Sequence, residues 1–91
     1  MWLKCKVMLG QYSGECAIKG NLYNNKEFSL FADKKDVNYK GKLSVDKPVD
    51  GWVKVAPGPQ KDNLLLVSLP QPAFENGRNI IVKTEQVKDE P

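Results

Sequence analysis

Two thiols, thirteen lysines, one arginine and eleven carboxylates make up most of the reactive inventory of this 91-residue chain, and histidine is absent. Histidine is the usual proton shuttle near neutral pH and the commonest metal ligand, so Ser–His and Cys–His nucleophiles and His-ligated zinc are excluded. The carboxylate pairs Asp33/Asp36 and Asp46/Asp50 fall in segments rich in turn formers and lysine. Solvated there, they lack the burial or like-charge crowding that tunes a catalytic acid. Cys5 and Cys16 are eleven residues apart with no further Cys or His beside them, which excludes a zinc site. Asp36, Asn38 and Gly41 match positions one, three and six of a calcium loop, but Lys40 and Lys47 occupy positions five and twelve, where ligands belong. No G-x-x-x-x-G-K, G-x-G-x-x-G or G-x-S-x-G motif occurs. The expectation is a non-enzymatic protein with no cofactor and no metal.

Charge is unevenly spread. Residues 1–45 carry eight lysines against four acids, and residues 46–91 carry six cations against seven acids. Arg78 is the only guanidinium. Lysine is a hydrated point charge, whereas sequence-reading nucleic-acid proteins rely on the bidentate arginine fork. A dedicated nucleic-acid reader carries more arginine, and a nonspecific solvated surface has this lysine-rich composition.

The elements that must position these groups are mostly strands. Leu3, Cys5, Val7 and Leu9 alternate with Trp2, Lys4, Lys6 and Met8. Cys16, Ile18, Gly20 and Leu22 form a second series, and Phe28 and Leu30 a third. Period-two alternation marks antiparallel strands with one face in water. Matching apolar faces pairs Leu3 with Leu22, Cys5 with Gly20, Val7 with Ile18 and Leu9 with Cys16, because a one-residue slip turns a strand over. Cys5 and Cys16 are then about four residues out of step. At roughly 3.3 Å per residue they lie beyond the ~7 Å reach of a disulfide, so both are expected as buried free thiols. The next hairpin pairs Leu22 with Phe28 and Gly20 with Leu30 around Asn24-Asn25-Lys26.

Asp33 and Gly41 bracket one short helical turn near residues 33–40, and Leu43-Ser44-Val45 reads as a short strand. A strand from Trp52 to Ala56 ends at the Pro57-Gly58-Pro59 loop signature. Leu64-Leu65-Leu66-Val67 suggests a strand covered on both faces and stopped by Pro70 and Pro72. Asn76-Gly77 marks a turn, Asn79–Thr84 the last strand, and Thr84–Val87 a 3₁₀ turn. The whole reads as an all-β fold, a small antiparallel β-barrel (OB-like or SH3-like) with a three-strand N-terminal meander. One domain covers residues 1–87, residues 88–91 form a frayed tail, and no internal repeat is visible. No apolar run is long enough for a membrane span, and lysines interrupt the N-terminus where a signal peptide needs its apolar stretch, so a cytoplasmic chain with no membrane partner is expected.

Two binding surfaces are legible. The first places an aromatic groove for a protein partner around Trp52, Tyr39, Phe74, Pro70 and Pro72, and makes the chain a small interaction module. The alternative is weak, sequence-nonspecific single-stranded RNA or DNA binding through the outward face of the meander, on Trp2, Lys4, Lys6, Lys19, Tyr23 and Phe31. In the expected register Trp2 opposes Tyr23, Lys4 opposes Asn21, and Lys6 opposes Lys19. The mutual repulsion of those two lysines invites an anion between them. A purely structural account has Trp2 and Tyr23 as a stabilising cross-strand pair, with lysines that solvate the sheet.

Overall fold

The period-two segments become strands in the computed structural model, which describes all of residues 1–91. They are β1 Trp2–Leu9, β2 Glu15–Asn21, β3 Glu27–Asp33, β4 Val37–Tyr39, β5 Val49–Lys54, β6 Ala56–Lys61, β7 Leu64–Ala73, β8 Gly77–Lys83 and β9 Val87–Lys88. Single 3₁₀ turns at Lys34–Asp36 and Thr84–Gln86 lead into β4 and β9. All pairing is antiparallel. One sheet has the order β3-β2-β1-β5-β4 with β9 also joined to β1, and the other has the order β6-β7-β8. The fold is all-β, and its ladders do not close into a barrel. A single core of 17 buried residues draws on both sheets, including Leu3, Val7, Ile18, Phe28 and Leu30 from the first and Leu65, Val67, Ile80 and Val82 from the second. No polar or charged residue is buried.

The first hairpin has the expected register, with Val7 opposite Ile18 and Leu9 opposite Cys16, but the ladder ends at Lys6–Lys19. Toward its N-terminus β1 parts from β2 and takes β9 instead, with Trp2 opposite Lys88 and Leu3 opposite Val87. The expected Leu3–Leu22, Lys4–Asn21 and Trp2–Tyr23 pairs therefore do not form. The second hairpin is shifted by two residues, with Gly20 opposite Phe28 and Ile18 opposite Leu30. Its loop is Tyr23-Asn24-Asn25. The Leu22 amide donates to the Lys26 carbonyl at 2.8 Å, and Asn25 takes the left-handed conformation at φ 67°. A three-residue hairpin loop needs that conformation at its last position, and asparagine tolerates it. An even shift leaves every side chain on its expected face. Cys5 and Cys16 are free and buried.

Several local expectations give way to tertiary context. The helical segment is one 3₁₀ turn of three residues, and the strand after it is Val37–Tyr39, whereas residues 43–45 are irregular. Pro57-Gly58-Pro59 lies inside β6, fully exposed at a sheet edge with a register shift between Pro57 and Gln60. Proline is compatible with an edge because no second ladder needs its missing N–H. In β7 the apolar run is covered on one face: Leu65, Val67 and Leu69 are buried, and Leu64 and Leu66 half-buried. It continues through Pro70 and Pro72 to Ala73, where its ladder to β8 is interrupted between Ser68 and Ala73. The ladder at the C-terminus reaches Lys88, one residue past the expected boundary.

The two halves repeat one another at a spacing of fifty residues, forty-nine between β2 and β7, contrary to the reading that no repeat exists. β3 and β8 occupy 27–33 and 77–83, the 3₁₀ turns 34–36 and 84–86, and β4 and β9 begin at Val37 and Val87. The Lys34 amide donates to the Gly14 carbonyl at 2.9 Å, and the Thr84 amide donates to the Asn63 carbonyl at 2.9 Å. In the β1–β5 ladder Leu3 stands opposite Val53, its own counterpart at that spacing, flanked by Trp2–Lys54 and Lys4–Trp52, which exchange under the same relation. The halves are thus related by a pseudo-two-fold axis through that pair. Each half lends its last strand to the other: β4 adds to β5, and β9 adds to β1.

Candidate nucleic-acid interface

Alternation along β1 and β5 turns Trp2, Lys4, Lys6, Asp50, Trp52 and Lys54 away from the core onto one outward face. The pseudo-two-fold makes its centre a quartet of two Trp–Lys cross-strand pairs, Trp2 with Lys54 and Lys4 with Trp52. Both indoles are half-buried, and Lys4 and Lys54 are exposed. Lys88 comes in from β9 opposite Trp2, and its ammonium lies 3.9 Å from the centre of the Trp52 ring. A cation over an indole face is held by the ring quadrupole, so Lys88 covers one face of Trp52.

Lys6 and Lys19 face each other as expected. The anion that relieves them is the protein's own: Lys6 donates to Asp50, the only carboxylate on the β1–β5 ladder. The Lys6 hydrogen bond and its charge hold the Asp50 carboxyl below the ordinary carboxylate range. Both side chains are well exposed, so the pair neutralises the face locally and adds little to stability.

Of the six residues expected on this surface, Trp2, Lys4, Lys6 and Lys19 are brought together. Phe31 shares the outward face through its pairing with Ala17, but lies on the outer strand β3 in edge-to-face contact with Phe74, at 5.6 Å and 81°. Tyr23 leaves the surface, since its amide donates to the Ile81 carbonyl of the second sheet at 3.0 Å. Trp52, Lys54 and Lys88 join the face and were not anticipated there. The signal was present in part, because Trp52-Val53-Lys54 repeats the Trp2-Leu3-Lys4 pattern. The proposed peptide groove is assembled only in part: Tyr39 and Trp52 line one cleft with Asn38, Lys40, Asp50 and Lys88, whereas Phe74 lies with Phe31. No helix is long and apolar enough to cross a membrane. No protein-family model, curated protein or solved structure matches the chain.

Proposed function

We propose that this protein is a non-enzymatic binding module that holds single-stranded nucleic acid, weakly and without sequence readout, on the outward face of its larger sheet. The observation that carries the reading is the Trp2–Lys54 and Lys4–Trp52 quartet, with Lys6, Lys19 and Lys88 around it. Aromatic rings that stack bases beside cations that follow the backbone are the physical elements of such binding. Lysine in place of arginine favours phosphate contact over base discrimination. The barrel-like reading of the architecture, OB-like or SH3-like, belongs to the same proposal: a curled sheet that offers one face to a strand.

The test is a titration of the isotope-labelled chain with a short mixed oligonucleotide. Amide shifts are expected on residues 2–8, 50–54 and 88, with affinity falling at a log–log salt slope of about −0.7 per phosphate contacted. Asp50→Asn is expected to tighten binding and steepen that slope, because it frees Lys6. Trp2→Ala and Trp52→Ala are each expected to weaken binding by roughly fivefold to a hundredfold, the range for loss of one stacked base. Absence of binding at low salt, or shifts confined to the second sheet, would overturn the reading. A salt-resistant complex with a protein, mapped to Tyr23, Ile81, Phe31 and Phe74, would favour the interaction-module alternative; of these, Tyr23, Ile81 and Phe74 are large exposed apolar residues.

A further inference from the structure

The parting of β2 and β9 along one edge of β1 opens a fork. The β2 ladder holds Lys6–Leu9 and the β9 ladder holds Trp2–Leu3, so Lys4 and Cys5 lie outside both on that side. A cleft of about 510 Å³ occupies the gap, lined by Lys4, Lys6, Lys19 and Lys83 with Glu27 and Glu85. Gln86 braces the cleft. Its Oε1 accepts from the Lys83 amide at 2.7 Å and its Nε2 donates to the Asn21 carbonyl at 2.8 Å, tying the 3₁₀ turn to β2 across the opening. Lys6–Asp50 is the only ion pair in the protein, so Lys4, Lys19 and Lys83 have no carboxylate within ion-pair distance.

The fold does not require these cations. The pseudo-two-fold generates a second fork with the same backbone plan, where β7 and β4 part along β5 and β6. There Ala56, Ser68 and Asp33 stand where the first fork has Lys6, Lys19 and Lys83, and Leu69 and Pro70 stand where it has Gly20 and Asn21. In the second fork the counterparts of Lys4 and Lys83 are Lys54 and Asp33, whose charges balance. The other is lined by four lysines against two glutamates and carries a surplus of positive charge. A braced cleft lined by three lysines without ion-pair partners is suited to an anion with several charged oxygens.

We infer that this fork is a binding site for a phosphate-bearing group with two or more anionic oxygens, either a small free diphosphate or the terminal phosphate of a strand lying on the adjacent face. The second source rests on the function proposed above; the first does not. Titration of the labelled full chain with sodium pyrophosphate at low salt is expected to give saturable shifts at Lys4, Cys5, Gly20, Asn21, Lys83 and Gln86, and none at Lys54, Val55 and Leu69. Lys83→Gln and Lys19→Gln are each expected to weaken binding by about tenfold, as for loss of one charge-assisted hydrogen bond, whereas Lys42→Gln leaves it unchanged. Shifts scattered over lysines of the whole surface, or a Lys83→Gln variant that binds like wild type, overturn the site. Oligonucleotides with and without a 5′-phosphate identify the source. A gain in affinity from the phosphate that Lys83→Gln abolishes assigns a strand terminus; equal affinities with pyrophosphate still bound assign a free ligand. Failure with pyrophosphate while both oligonucleotides bind sinks the fork and leaves the face standing. Success with pyrophosphate and no oligonucleotide binding does the reverse.

Discussion

Cys5 illustrates what burial does to a single reactive group. Desolvation, reinforced by the nearby Cys16, pushes its pKa up to about 12 from an ordinary 9.0. Burial also raises that of Cys16. Only thiolates are good nucleophiles, so neither residue is expected to react with a thiol reagent at pH 8 until the chain unfolds. The same shift makes stability depend on alkaline pH. Below about pH 9 both states keep the proton. Between about 9 and 12 the unfolded chain releases it while the folded chain holds it, so stability falls by at most about 1.4 kcal/mol per pH unit from this group. Cys5→Val copies the residue found at the pseudo-equivalent position, Val55. Urea midpoints measured at pH 8 and 10.5 should fall less steeply with pH in that variant than in wild type. Equal slopes would show that the thiol is not buried as described.

At the scale of elements, β2 and β3 are fitted by an exchange of volume. A Cβ on Gly20 would come within 2.5 Å of the Phe28 ring, which fills the space the glycine leaves. In the other half Leu69 supplies the buried side chain, and Arg78, the counterpart of Phe28, is exposed. Gly20→Ala is expected to cost about 1–3 kcal/mol through overpacking. Phe28→Leu in the Gly20→Ala background should recover part of that loss, because residues in contact are not additive. Denaturant unfolding of the two single variants and the double variant measures the coupling, and strict additivity would rule the contact out. The sheet edges are managed with similar economy: Pro57 and Pro59 occupy β6, the exposed edge of the second sheet, where they deny a second chain the amides it would need to add a strand.

For the molecule as a whole, the pseudo-two-fold makes the chain termini equivalent to an internal connector. β4 and β5 are antiparallel neighbours joined through residues 40–48, and β9 and β1 are antiparallel neighbours not joined at all. Linking Pro91 to Met1 with about six Gly/Ser residues copies the existing connector, and opening the chain between Gly41 and Lys42, both exposed, cuts only irregular structure. That circular permutant is expected to fold with a single cooperative transition and a wild-type pattern of amide shifts, since termini close in space tolerate permutation. A permutant that collapses without a transition would show that the two halves do not play equivalent parts.

The alternation of Leu3, Cys5 and Val7 with lysines was enough to determine an all-β chain, the inner and outer faces of its first strands, and two thiols held apart, because burial of one face leaves period two a single meaning. The Asn24-Asn25 turn was legible, but its register was not, since loops of different length satisfy the same faces. The repeat stayed hidden because it survives as geometry, with identical residues only at Trp2/Trp52, Lys4/Lys54 and Val37/Val87 in an alignment at that spacing. The arrival of β9 on β1 was equally beyond local reading. That one long-range pairing displaces Tyr23 from the face, brings Lys88 over Trp52 and opens the basic fork. No short-range pattern encodes it, because the energy that selects it comes from sealing one core between two halves that each lack a last strand.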